Sequence, residues 1–194
     1  MLLACNNSKT ESQIELNKQN ENSETELLLK SQLVKSQNFA LNKLKLNSIS
    51  KLKSTTLRIW RFPGGGACFE ELYELNIDKK ELKLYSYLIE NIRPTESENI
   101  SDLEYQKVIN NNELTEKLIR FSNEKSLLNF KNSNEYCKSN ILCGDSFLVE
   151  FKNNFGQNTF SLNSGIKKCS NKNTESLKEL FDLIEKTSSE YSNK

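Results

Sequence analysis

Three glutamates fall within one short stretch, Glu70, Glu71 and Glu74, and paired carboxylates are what glycoside hydrolysis uses as acid and base. On a charged strand such carboxylates are ordinarily solvated side chains, and the sequence sets no separation between them to compare with the ~5–9.5 Å that such catalysis requires. Just upstream, Pro63-Gly64-Gly65-Gly66-Ala67 has the glycine content of a phosphate-cradling loop. A P-loop ends in Gly-Lys followed by Ser or Thr, whereas Cys68 and Phe69 follow here. A dinucleotide fingerprint needs a helix after its glycines, and the residues after Ala67 read as a strand. Gly64, Gly65 and Gly66 are therefore expected to form an open hairpin connection, exposed enough to contact a ligand. Trp60, Phe62, Tyr73, Tyr85 and Tyr87 stand on neighbouring stretches. Such a set makes either an aromatic patch for sugars, peptides or a partner protein, or the ordinary packing of a strand-rich core. The chain of 194 residues has no His, which removes imidazole acid–base catalysis, imidazole-dependent triads and HExxH zinc sites.

Gly144-Asp145-Ser146-Phe147 resembles the Gly-Asp-Ser nucleophile block of GDSL-type lipases and esterases. In that family the serine draws on an imidazole base, which this chain lacks, and a serine without an activating base is inert. The block also lies late in the chain. A tight Gly-Asp turn leading into a strand accounts for the same residues.

The chain opens Met1-Leu2-Leu3-Ala4-Cys5, then runs through Asn, Ser, Lys, Glu, Gln and Thr to about Glu24 with almost no apolar residue. Leu2-Leu3-Ala4-Cys5 resembles the bacterial lipobox, in which a small residue precedes the cysteine that is acylated after cleavage, and the polar run after it reads as a tether. A secretory signal needs roughly 7–15 apolar residues before that cysteine, so Met1 is expected to be an internal methionine of a longer precursor. With its Asn- and Lys-rich composition, the chain resembles the short lipoproteins of Bacteroidota-like genomes. That resemblance implies a lipid anchor at Cys5, the bilayer as a partner and an envelope location, but no particular activity. No apolar run approaches the ~18 residues of a membrane-spanning helix.

In an exported chain the remaining cysteines, Cys68, Cys137, Cys143 and Cys169, are an even set that can form a disulfide framework. Four cysteines allow three connectivities. The short polar segment between Cys137 and Cys143 favours that pair, leaving Cys68–Cys169. Zinc is disfavoured, because no Cys-x-x-Cys pair is present.

Stepping from these residues to the elements that hold them, the pattern predicts a weak amphipathic helix over Glu24–Asn38. Lys30 to Arg61 carries eight basic residues and no acid, which suits anionic lipid headgroups or simply a solvated face. Strands are predicted over Thr55–Phe62, Phe69–Ile77 and Leu82–Ile89, joined by short links as an antiparallel meander. Ser101 with Glu104 has the capping-box spacing, and the apolar positions from Leu103 to Phe121 predict helix, divided in two at Asn110-Asn111-Asn112. Two more strands follow, Ser146–Lys152 and Asn158–Leu162. A last helix is capped at Asn173 or Thr174, with Leu177, Leu180, Phe181 and Ile184 on one stripe.

The expected fold class is α+β: an antiparallel sheet of about five strands with helices on one face. The expected organisation is a signal remnant and lipidated cysteine over 1–5, a tether over 6–53, a compact domain over 54–188 and a tail over 189–194. A net charge of +1 argues against nucleic acid, whose binders carry a strong basic excess. No cofactor or metal site is expected. The functional expectation is a membrane-anchored binding module for a protein or glycan, with Trp60, Phe62, the Gly64–Gly66 loop, Tyr85 and Tyr87 as candidate contacts. The alternatives are an immunity or inhibitor-type lipoprotein and, more distantly, a carboxylate-dependent hydrolase.

Overall fold

Alternating apolar residues build the centre of the protein. The computed structural model describes residues 34, 37–38, 40–63, 69–89, 100–109, 112–136, 144–170 and 174–191. Among these residues there are six strands: β1 (Thr56–Phe62), β2 (Phe69–Asn76), β3 (Glu81–Ile89), β4 (Ile100–Ile109), β5 (Ser146–Asn153) and β6 (Gly156–Asn163). They form one antiparallel sheet in the order β4-β3-β2-β1-β5-β6. The first four strands are a meander, and β5 then adds to the free side of β1. After β1 the α-helices among these residues are α1 (Asn112–Glu124), the short α2 (Ser133–Tyr136) and α3 (Glu175–Tyr191). The class is α+β as expected, with six strands rather than five.

The sixth strand is β4, and it corrects the reading of that stretch as helix. Residues Ile100–Ile109 pair with β3, placing Leu82 opposite Ile109 and Tyr85 opposite Gln106. Val108 is 47% exposed and its neighbour Ile109 is 4% exposed, the two-residue period of a strand rather than a helical stripe. The Ser101–Glu104 capping signal is local, whereas β3 would otherwise present a row of unpaired backbone groups that a further strand satisfies. Helix formation begins only at Asn112, so the asparagine run separates a strand from a helix.

One sheet face meets the helices. Leu57 and Ile59 of β1, Tyr73 and Leu75 of β2, Leu82 and Leu84 of β3, and Phe147, Val149 and Phe151 of β5 belong to one apolar cluster with Leu114, Leu118 and Phe121 of α1 and Leu177, Leu180, Phe181 and Ile184 of α3. The α3 stripe is the one that its sequence spacing predicts. Phe147 meets Phe181 edge to face, with ring centroids 5.1 Å apart, an arrangement that adds to simple burial.

The opposite face is buried as well. Arg58, Trp60, Phe62, Leu72, Tyr85, Tyr87, Leu148 and Glu150 all lie there with little or no exposure. Chain before Ser54 packs against this face: the Asn47 carbonyl accepts from Arg58 Nη1 at 2.7 Å, and Lys152 Nζ donates to the carbonyls of Ser50 and Leu52 at 2.7 and 2.6 Å. The compact unit accordingly runs Phe39–Lys194, beginning earlier than the expected Ser54. Residues Ala40–Lys43 are helical, with Ala40, Leu41 and Ile49 buried. Of the helix read over Glu24–Asn38, residues 34 and 37–38 are described and helical; the rest, like the tether before it, lies outside the described residues.

Phe181→Ala removes a fully buried ring from the sheet–helix interface. The expected loss is about 3–5 kcal/mol of unfolding free energy, measured as a lower denaturant midpoint at unchanged slope.

Candidate functional site

The chemistry-bearing residues gather on β1 and its two neighbours. β1 alternates, so Arg58 and Trp60 point to one face and Ile59 and Arg61 to the other. Arg61 is flanked in register by Glu71 of β2 and Phe147 of β5. Its guanidinium donates from Nη1 to Glu71 Oε2 at 2.9 Å and from Nε to Asp145 Oδ2 at 2.8 Å. Tyr73 Oη donates to the same Glu71 oxygen at 2.8 Å. The Glu71 side chain is 0% exposed, while those of Arg61 and Asp145 are 16% and 25% exposed. Burial opposes the charge on Arg61, but its bonds to Glu71 and Asp145 outweigh that and hold its pKa above the ordinary arginine value. This cluster closes the sheet end from which the β1–β2 connection leaves.

A second set occupies the other face. Trp60 Nε1 donates to Glu150 Oε2 at 2.7 Å, Tyr87 Oη to Glu70 Oε2 at 2.9 Å, and Arg58 Nε to Glu74 Oε2 at 2.7 Å. Burial, with the charge and hydrogen bond of Glu70 behind it, pushes the Tyr87 phenol well above its ordinary range. Burial likewise raises Tyr85.

These placements answer the expectations residue by residue. Glu70 and Glu71 are not solvated side chains: both are buried, on opposite faces, and each is held by donors from a neighbouring strand or its own. They are not a facing acid–base pair, because adjacent strand residues point opposite ways. Trp60, Phe62, Tyr85 and Tyr87 share a face as expected, but they are buried in it and form no exposed patch. Tyr73 belongs to the helix-side core. Asp145 of the Gly144-Asp145-Ser146 block is bonded to Arg61 and anchors the start of β5, in keeping with a structural turn. Gly64, Gly65 and Gly66 lie outside the described residues, as do Cys5, Cys68, Cys137 and Cys143. Cys169, just after the single-turn helix Ser164–Lys168, is buried and disulfide-bonded, and the cysteine across that bond is outside the described residues.

Two features are not legible in the local sequence. Glu150 lies in an apolar run, and its role needs the register that sets β5 beside β1. The other is an open groove of about 260 Å³ between α1 and α3, floored by Phe121 and Leu183 and rimmed by Lys117, Arg120, Glu124 and Asp182. A charged residue at every third or fourth position of both helices was the available signal. Among the described residues no group of three or more Cys, Asp or Glu is disposed to hold a metal ion, and no helix is long and apolar enough to cross a membrane.

The geometry defines an α+β protein whose central charges hold strands together. No protein-family model and no curated protein matches the chain.

Two measurements probe these clusters. Arg61→Met leaves the Glu71 carboxylate buried without its cation and is expected to cost about 3–5 kcal/mol. Asp145→Asn, at the more exposed end, is expected to cost clearly less; equal losses in urea titrations would contradict the assignment. For the tyrosines, a pKa raised in the folded state means that the native protein holds the phenolic proton more tightly than the unfolded chain. Their contribution is complete below the unfolded value of about 10 and is lost as pH rises above it. Tyr85→Phe with Tyr87→Phe should therefore flatten the decline in stability above pH ~10, read by denaturant titration at several alkaline pH values.

Proposed function

We propose that this protein is a lipid-anchored, exported binding module of a bacterial envelope, held to the bilayer through Cys5 and acting on a protein or glycan without catalysis of its own. The observation that carries the binding reading is the use made of the strand-borne carboxylates. Glu70, Glu71, Glu74 and Glu150 accept from Tyr87, from Arg61 with Tyr73, from Arg58 and from Trp60. Each strand-borne acid that suggested hydrolysis thus has a structural donor. The anchor rests on Leu2-Leu3-Ala4-Cys5 and the polar run after it. A disulfide at Cys169 supports an oxidising compartment, since such bonds are rare in reducing ones. Cys68–Cys169 with Cys137–Cys143 remains the proposed framework.

One observation favours a narrower version, an immunity or inhibitor-type lipoprotein. The α1–α3 groove mixes Lys117 and Arg120 with Glu124 and Asp182 over an apolar floor. A concave surface of that kind matches a charged protein partner better than a sugar, which aromatic platforms bind.

The anchor is tested by expressing the gene from its upstream in-frame start in a bacterial host fed an alkyne fatty acid. Label on the wild-type protein and none on Cys5→Ser is the expected result. An unlabelled wild type, or label persisting in Cys5→Ser, overturns it.

A further inference from the structure

The β5–β6 connection is a two-residue turn, Asn154-Phe155, closed by the pair Asn153 and Gly156. Asn153 Oδ1 accepts from the backbone N–H of Phe155 at 2.8 Å and of Gly156 at 3.1 Å, so the tip has a defined geometry. Turns of this length favour Asn, Asp and Gly. Here the apex is a phenylalanine, 91% exposed, and among the described residues it and Val108 are the exposed large apolar side chains. A single exposed apolar residue needs no explanation in itself; its surroundings distinguish this one.

Register places the start of β1 at the same end of the sheet, with Thr56 opposite Lys152. Lys53 lies three residues before Thr56 and Phe155 three residues after Lys152, so both belong to this end of the sheet. Lys152 holds the approaching chain there by donating to the carbonyls of Ser50 and Leu52. Lys51 and Lys53 between and beside those carbonyls are exposed, and neither has an ion pair among the described residues. The β2–β3 turn reaches the same end, since Thr55 N–H donates to Asp78 Oδ2 at 3.0 Å, and it brings the exposed Lys79. Among the described acids at this end, Glu81 pairs with Lys83 at 2.7 Å and Glu116 with Lys80 at 2.8 Å, while Asp78 accepts from the Thr55 N–H. Of the eight basic residues between Lys30 and Arg61, Arg58 and Arg61 are committed to the sheet, whereas Lys51 and Lys53 are exposed.

We propose that this end of the sheet, the Phe155 tip with Lys51, Lys53 and Lys79, docks on an anionic bilayer surface, the ring entering the headgroup layer and the lysines meeting lipid phosphates. An exposed apolar side chain and exposed lysines at one end of the sheet suit that interface, where buried apolar area and attraction to anionic lipid add. The proposal rests on the lipid-anchored reading, because a tethered domain stays within reach of the bilayer. It adds that the domain lies on the membrane in one orientation instead of tumbling on its tether.

The test uses the full chain carrying Cys5→Ser, made without acylation, in co-sedimentation with vesicles of equal parts phosphatidylglycerol and phosphatidylcholine, and with phosphatidylcholine alone. Binding to the anionic vesicles only, falling as salt rises, is expected. Lys51→Glu with Lys53→Glu should weaken it by more than tenfold, given on the order of fivefold for each basic residue near the surface. Phe155→Ala should weaken it about tenfold, with the thermal midpoint unchanged because none of these side chains packs in the core. Phe155→Trp should blue-shift on the anionic vesicles. Absence of binding, or binding indifferent to Phe155 and to the lysines, overturns the proposal. So does concentration-dependent self-association abolished by Phe155→Ala, which would assign the tip to a second copy of the chain. Fatty-acid labelling of the Cys5 form is scored separately: label without vesicle binding by the Cys5→Ser chain refutes the docking and keeps the anchor, and vesicle binding without label does the reverse.

Discussion

The structure depends on pairing two arginines that the central strand carries into a sheet buried on both faces. Arg58 and Arg61 leave opposite sides of β1, and an unpaired charge in such surroundings is costly enough to unfold a marginally stable domain. Each is therefore met by a carboxylate from β2, Glu74 for Arg58 and Glu71 for Arg61. Slipping β2 by one residue against β1 would turn each carboxylate to the wrong face. The ion pairs are thus better seen as devices that specify register than as sources of net stability, which comes from the apolar cluster between sheet and helices.

That constraint reaches outward through further partners. Asp145 bonds Arg61 from the start of β5, linking the late strands to the meander, and the Asn47 carbonyl bonds Arg58, drawing the preceding segment onto the second face. Trp60 and Glu150 repeat the arrangement, an indole N–H satisfying a buried carboxylate across the β1–β5 pair. The buried aromatics on this face are consequently structural. Among the described residues, the surfaces open to contact include the α1–α3 groove and the sheet end bearing Phe155, and neither draws on the aromatic face that the strand pattern suggested.

The stretch from Ser101 to Ile109 shows where local signals mislead. A capping-box spacing and apolar residues at helical intervals are real features of those residues, yet β3 offers an open edge whose backbone groups need partners. Strand preference depends strongly on such context. Glu70 and Glu71 illustrate the same limit for side chains, since charged residues on a strand are ordinarily solvated and only a buried sheet with donors on adjacent strands makes them interior groups.

The sequence alone determined whatever depends on near neighbours. Its two-residue alternation set β1, β2, β3, β5 and β6 to within a residue or two, the Leu177–Ile184 stripe set α3, and the class α+β followed. The missing imidazole excluded whole groups of reactions. Tertiary structure decided everything that depends on residues far apart in the chain: that β4 is a strand, that β5 joins β1, that both faces are covered, and that the strand-borne acids are held by donors as many as 90 residues away. It also brought Lys51, Lys53 and Phe155 to one end of the sheet. Periodicity records which way a side chain points, whereas burial and pairing depend on what lies opposite, and only the folded chain supplies that.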